Sequence, residues 1–243
     1  MSSKLTLKKY TIDPIAQEEV ASLEDMENAR CTTQHSLFVT EVEGVQHFKL
    51  HLEDIMPEKA AFHVILNRLS QAQQGDTLEL RIHSNGGSTD IGQIIINMIN
   101  NVFPGRATAV LDNMGKSMGA IIFCNCPKRI VNVNSDIMFH WYSVGVSGKG
   151  NEVTSSIDRA NEALRDLYQR SMVDTGFLTQ EEVDRLYDGK DYPFGTVEMC
   201  QRGIATHVLV RGIEIPAVQY LGYKSESLTD DDMVISYHSE RNI

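Results

Sequence analysis

The sequence predicts an α/β fold with a parallel sheet at its core. Between residues 45 and 111, short β-rich segments take turns with longer segments of helical periodicity. Strand, helix and strand at that spacing make a βαβ unit, whose two strands run parallel. The chain has 243 residues, 42% of them hydrophobic and 23% charged, which suffices to bury such a core.

The elements follow in order. Residues 1–43 are polar and acidic ("IAQEEVASLEDMENAR"), with no strand alternation beyond "SLFVTEVEG". They read as an N-terminal extension, partly mobile. "VQHFKLHL" (45–52) alternates as a strand. "MPEKAAFHVILNRLSQAQQG" (56–75) puts Ala61, Phe62, Ile65, Leu66 and Leu69 on one helical face and stops at Gly75. "TLELRIHS" (77–84) is a strand that Asn85-Gly86-Gly87 breaks. "STDIGQIIINMINNV" (88–102) returns to helical spacing through Ile91, Ile94, Ile95 and Met98, and "RATAVL" (106–111) is the next strand. "SMGAIIF" (117–123) opens an apolar helix, and "SDIMFH" (135–140) is strand-like. Residues 151–176 read as a long helix, with Val153, Ile157, Ala160, Leu164 and Leu167 at i, i+3 or i+4 steps between Gly150 and Gly176. "TQEEVDRLY" opens on a capping box, Thr179 with Glu182. "TVEMCQR" ends at Gly203, and "DGKDYPF" (188–194) reads as a turn between these two helices.

Composition removes several function classes. A formal net charge of -11 without a basic run argues against nucleic-acid binding, which needs clustered Lys and Arg. No apolar run approaches the ~20 residues of a membrane helix, and "MSSKLTLKKYTIDP" lacks the apolar stretch of a secretory signal. Of the four cysteines, Cys124 and Cys126 form C-x-C beside "GAIIF", while Cys31 and Cys200 stand alone. No further ligands at metal-site spacing accompany them. The expectation is a cytoplasmic protein with reduced thiols and neither metal nor cofactor.

"DNMGKSMGAIIF" (112–123) carries the chemistry. Gly115-Lys116-Ser117 copies the end of a phosphate-binding loop, but the first glycine of that loop would fall at Val110. Gly115-Lys-Ser-Met-Gly119 also fits G-x-S-x-G, a serine nucleophile on a tight turn. Ser117 would sit at the positive end of a helix dipole, where backbone N–H groups are free to face an oxyanion. Met118 would supply one N–H. Gly87 would supply another, having no side chain to obstruct a substrate carbonyl. Spacing alone equally allows Ser117 to be a helix cap. A nucleophilic serine needs a base and an orienting partner. His140, at the end of its strand, lies where parallel-sheet active sites form. Asp188 and Asp191 both lie in the following turn, and the local sequence does not choose between them.

Taken together, "LRIHSNGGSTDIG", "GKSMGAIIF", "SDIMFH" and "DYPFGTVEMCQRGIATHV" resemble the Clp protease proteolytic subunit, ClpP. That family carries N-S-P-G-G after a strand, then A-S-M-G, then M-I-H-Q-P, then an aspartate before a helix ending Y-G-L-V-D. By this resemblance Ser117 is the nucleophile, His140 the base and Gly87 the second glycine of the first motif. Counting back from Gly203 assigns the aspartate to Asp191. The resemblance spans residues 45–210. It implies the ClpP/crotonase fold of repeated ββα units, with residues 44–210 as the protease domain and 211–243 as a C-terminal extension.

A helix–strand handle is implied at about 143–176, with the strand in "VGVSGKG" (144–150). The implied activity is that of an ATP-dependent serine endopeptidase. It would cleave unfolded chains or short peptides inside a homo-oligomeric chamber of stacked heptameric rings, fed by a separate AAA+ unfoldase. Asn85-Gly86-Gly87, Lys116 and Trp141-Tyr142 depart from the family pattern, and neither terminus resembles it. Such ends suit a specialised member, such as a viral protease that trims capsid or scaffold proteins in the host cytoplasm without an unfoldase. Other classes are weighed against this reading. A crotonase-type acyl-CoA enzyme shares the architecture but does not need the three residues. A non-catalytic scaffold would not need them either. An α/β-hydrolase runs Ser, Asp, His, and its nucleophile follows the strand directly, whereas "DNM" intervenes here.

Overall fold

Phe48, Leu50 and Leu52 alternate inward along one strand and are almost wholly buried, as a strand with one face on the core requires. The computed structural model describes residues 6–11, 35–55 and 59–241. Their packing sorts into two units, 1–131 and 132–243, each taken by itself below.

The first unit is built on a six-stranded sheet. Its strands are β1 (Thr6–Thr11), β2 (His35–Val42), β3 (Val45–Ile55), β4 (Thr77–Gly87), β5 (Ala107–Lys116) and β6 (Lys128–Asn132). β3, β4, β5 and β6 pair in parallel, in that order. β2 and then β1 add antiparallel strands on the β3 side. The N-terminal extension expected at 1–43 thus supplies two strands, while 1–5 and 12–34, with Cys31, lie outside the described residues.

The helices of this unit are α1 (Lys59–Leu69), α2 (Thr89–Asn101) and α3 (Met118–Cys124). α1 buries Phe62, Ile65, Leu66 and Leu69 of the expected stripe, while the side chain of its fifth member, Ala61, lies outside the described residues. α2 is capped by Ser88, whose Oγ accepts from the Ile91 N–H, and it buries Ile91, Gly92, Ile95, Ile96 and Ile99. Its inward face is turned away from the expected Ile94, which is exposed. The cause lies at Gly92, where a Cβ would overlap the Met118 side chain, so α2 packs glycine-first against α3.

The second unit comprises β7 (Asp136–Phe139), α4 (Gly150–Tyr168), α5 (Gln180–Tyr187), β8 (Tyr192–Gly195), α6 (Thr196–Gln201), β9 (His207–Val210), β10 (Ile213–Pro216), α7 (Ala217–Ser225) and α8 (Asp230–Arg241). α4 runs into a π-helical turn, Gln169–Val173. The expected capping box on α5 is present, Thr179 with Glu182. "DGKDYPF" is not all turn, because β8 begins at Tyr192 and pairs antiparallel with β7. Residues 144–150 form no strand. Val144 and Val146 are 54% and 41% exposed, and an isolated strand without a ladder partner is not stable.

Candidate active site

Ser117 stands between β5 and α3 with φ 54° and ψ -126°. Positive φ in a residue with a Cβ is sterically costly, and such strain gathers at functional sites. β5 runs up to Lys116, so the serine follows its strand directly. "DNM" is a bulge: Leu111 pairs with Ile82 and Gly115 with Ser84, so 112–114 lie opposite His83 alone. The spacing objection to a nucleophile elbow is therefore overturned, although the chain order Ser, His, Asp is unchanged. Ser117 occupies the N-cap position of α3 but makes no side-chain cap hydrogen bond. Its carbonyl accepts from the N–H groups of Ala120 and Ile121. Met118 is the first helical residue, and its N–H lies ahead of the intrahelical ladder.

Glycines set this turn. A Cβ on Gly86 would lie 2.5 Å from the Ser117 Cβ and 3.1 Å from its Oγ. Gly86 also holds φ +104°, and its N–H donates to the buried Ser84 Oγ at 3.0 Å. Its exposed neighbour Gly87, φ 146°, is the glycine expected as an oxyanion donor. The two glycines of G-x-S-x-G serve packing. Gly115 fits against Leu111, and a Cβ on Gly119 would come 3.2 Å from Ser84. Asp54 Oδ1 accepts from the Asn85 N–H at 3.0 Å and ties the loop to β3. Gly86 was missed by sequence reasoning. The doubled glycine was the available signal, but only the folded chain shows which of the two meets Ser117.

His140 and Asp191 lie in the second unit. β7 and β8 pair from Asp136↔Gly195 to Phe139↔Tyr192. One step beyond the last pair stand His140 and Asp191, while Asp188 lies three residues further from the ladder. Residues opposed in an antiparallel pair project to the same face, and His140 and Asp191 each stand one step past the same end of this ladder. Register relates the two residues; among the described residues the imidazole makes no hydrogen bond to that carboxylate. His140 is half-buried and Asp191 exposed.

Arg202 links α5 and β8, the elements on either side of the turn before Asp191. Its guanidinium donates to both oxygens of Glu182 (2.8 and 3.0 Å), to Glu198 Oε1 (3.1 Å) and to the Phe177 carbonyl (3.3 Å). It also stacks 4.2 Å from the centre of the Phe194 ring on β8. Burial alone would raise the Glu182 pKa. Hydrogen bonds from Arg202 and the Thr179 backbone outweigh it and hold the carboxyl below its ordinary value.

Cys124, Cys126 and Cys200 are buried and unpaired. Burial pushes the thiols of Cys124 and Cys126 up to about 12 and that of Cys200 to about 11, which makes them poor nucleophiles. Among the described residues no group of three or more His, Cys, Asp or Glu could hold a metal, and no helix is long and apolar enough to cross a membrane. A family model described as Clp protease matches residues 45–212. No curated protein matches the chain.

Proposed function

Since the chain belongs to the Clp protease family, a family of peptidases, we propose that it cleaves polypeptides by a serine mechanism carried by Ser117, His140 and Asp191. The observation that carries this reading is the Ser117 turn. A residue with a Cβ is held at φ 54° between a strand and a helix, with its hydroxyl not spent as a cap. A serine kept only as a cap would relax to an ordinary N-cap conformation and bond its own helix.

Ser117 Oγ attacks the peptide carbonyl carbon while His140 takes the hydroxyl proton and returns it to the leaving amine. Water then attacks the acyl-enzyme by the same route and restores the serine. Asp191 orients the imidazole and stabilises the imidazolium. The N–H groups of Met118 and Gly87 hold the oxyanion, each worth about 3 kcal/mol of barrier. No step calls for a metal or cofactor.

The same proposal makes the working form a homo-oligomer of stacked rings, with the sites inside a chamber that admits unfolded chains and short peptides. α4 would be the handle helix. Val153, Ile157 and Ala160 in its first half are only half-buried within one chain, which leaves apolar surface for a neighbour. An AAA+ unfoldase is a separate partner in this scheme, and the cytoplasm is the proposed location.

The test is covalent labelling by a fluorophosphonate, followed by intact mass, beside Ser117→Ala. Stoichiometric labelling that the mutation abolishes is the expected result. An assembled, folded protein that takes no label would refute the serine mechanism.

A further inference from the structure

His140 stands one residue past the β7–β8 ladder. Its backbone carbonyl accepts a 2.6 Å hydrogen bond from the Tyr168 hydroxyl. Tyr168 is 3% exposed and is the last residue of α4 before the π-helical turn Gln169–Val173. Such wide turns re-aim side chains and recur at functional sites. Next to the base, the Trp141 ring contacts Tyr187 at 4.5 Å, Tyr142 at 5.1 Å and Tyr168 at 5.8 Å between centroids. α4 braces this cluster twice more. Tyr142 donates to Asn161 Oδ1 at 2.8 Å, and the Arg165 guanidinium lies 4.6 Å from the centre of the Tyr187 ring.

The consequence for the base is geometric. The peptide before His140 is fixed by the ladder through Phe139 and Tyr192. The peptide after it is fixed by the Tyr168 bond to its oxygen. With both planes held, φ and ψ of His140 are set, and the imidazole moves only about its side-chain torsions. A strand end would otherwise fray, and catalytic groups tolerate little misplacement.

We propose that Tyr168 is a positioning residue for the general base, with Trp141 as its brace. The inference rests on the serine mechanism proposed above. It assigns a role to the aromatic pair Trp141-Tyr142 that departs from the family motif.

Tyr168→Phe removes the hydroxyl and keeps the ring against Trp141. Three quantities test it: the rate of fluorophosphonate labelling of Ser117, kcat and KM on a short fluorogenic peptide amide, and the emission of Trp141, the chain's single tryptophan. Labelling rate and kcat should fall about tenfold, as misplacement of a reacting group costs. KM should stay within about twofold, the pattern of an interaction made in the transition state. Trp141 emission should shift. Trp141→Phe keeps the Tyr168 bond but loses the indole contacts, and should show a smaller loss in the same direction. Tyr237→Phe, another buried tyrosine, on α8, should label like wild type.

Folded Tyr168→Phe that labels at the wild-type rate overturns the positioning role and leaves the serine mechanism standing. Should Tyr168→Phe not fold, an undiminished rate in Trp141→Phe removes the Trp141 brace and so overturns the proposal as stated. A wild-type protein that takes no label sinks both.

Discussion

Ser117 pays for its geometry with backbone strain, and that strain is measurable. At φ 54° and ψ -126° a Cβ costs about 1–3 kcal/mol, which glycine escapes at an unfolded-state entropy cost of about 0.5–1 kcal/mol. Ser117→Gly should therefore be more stable than Ser117→Ala by about 1 kcal/mol, the difference of those two terms. Urea unfolding of the two variants side by side checks this, and equal midpoints would show a relaxed turn. Gly86 makes the opposite prediction. Gly86→Ala would drive a Cβ to 2.5 Å from the Ser117 Cβ at φ +104°. It should abolish labelling and cost about 2–4 kcal/mol, a strained backbone added to an overpacked contact.

At the scale of elements, Arg202 joins α5, α6 and β8 through Glu182, Glu198 and Phe194. Glu182 and Arg202 are mostly shielded, with side chains 18% and 26% exposed, so their bidentate pair is worth more than a surface ion pair. The Glu182 carboxyl is held below its ordinary value of 4.5. Its contribution is therefore complete above pH 4.5 and is lost as pH falls through the lower folded value. Glu182→Gln should cost about 1–2 kcal/mol at pH 7. Thermal melts of the two proteins should converge as pH drops below 4.5, and a gap that persists there would assign the cost to packing instead.

The elements differ in how legible they were. α1 and α5 could be read because their apolar spacing and capping box are local signals. β8 was hidden by Pro193 behind a glycine-bearing turn. Proline is tolerated in this strand because it sits exposed at a position opposite Met138. The β2–β3 and β9–β10 hairpins turn on Glu43-Gly44 and Arg211-Gly212, all at positive φ. These hairpins lack the Asn or Asp that usually announces such a turn. The handle strand was expected from the family pattern, but 144–150 pairs with no strand among the described residues. At the site, Ser117 was visible from G-x-S-x-G. The choice of Asp191 over Asp188 rests on the family pattern, since the β7–β8 ladder ends one residue short of both His140 and Asp191.

At the scale of the whole molecule, the proposed assembly predicts a use for surface that one chain leaves open. Val144→Lys with Val146→Lys should leave the thermal melt of the protomer within about 0.5 kcal/mol, since both side chains are exposed. The pair should nonetheless shift native mass toward smaller species. An unchanged native mass would remove 144–150 from the assembly. A net charge of -11 per chain opposes assembly by self-repulsion that salt screens. Added salt should therefore favour the larger species in the same measurement.

The β7–β8 ladder also carries a message about time. Phe139 and Tyr192 meet only after the chain has completed the long excursion through α4, the π-helical turn and α5. Distant pairings of this kind are slow, because the entropy of closing the loop is spent before the contact returns anything. During refolding, helical signal should thus recover ahead of the capacity to take a fluorophosphonate. A newly made chain would pass through a harmless interval in which it is largely helical yet unable to cut anything around it.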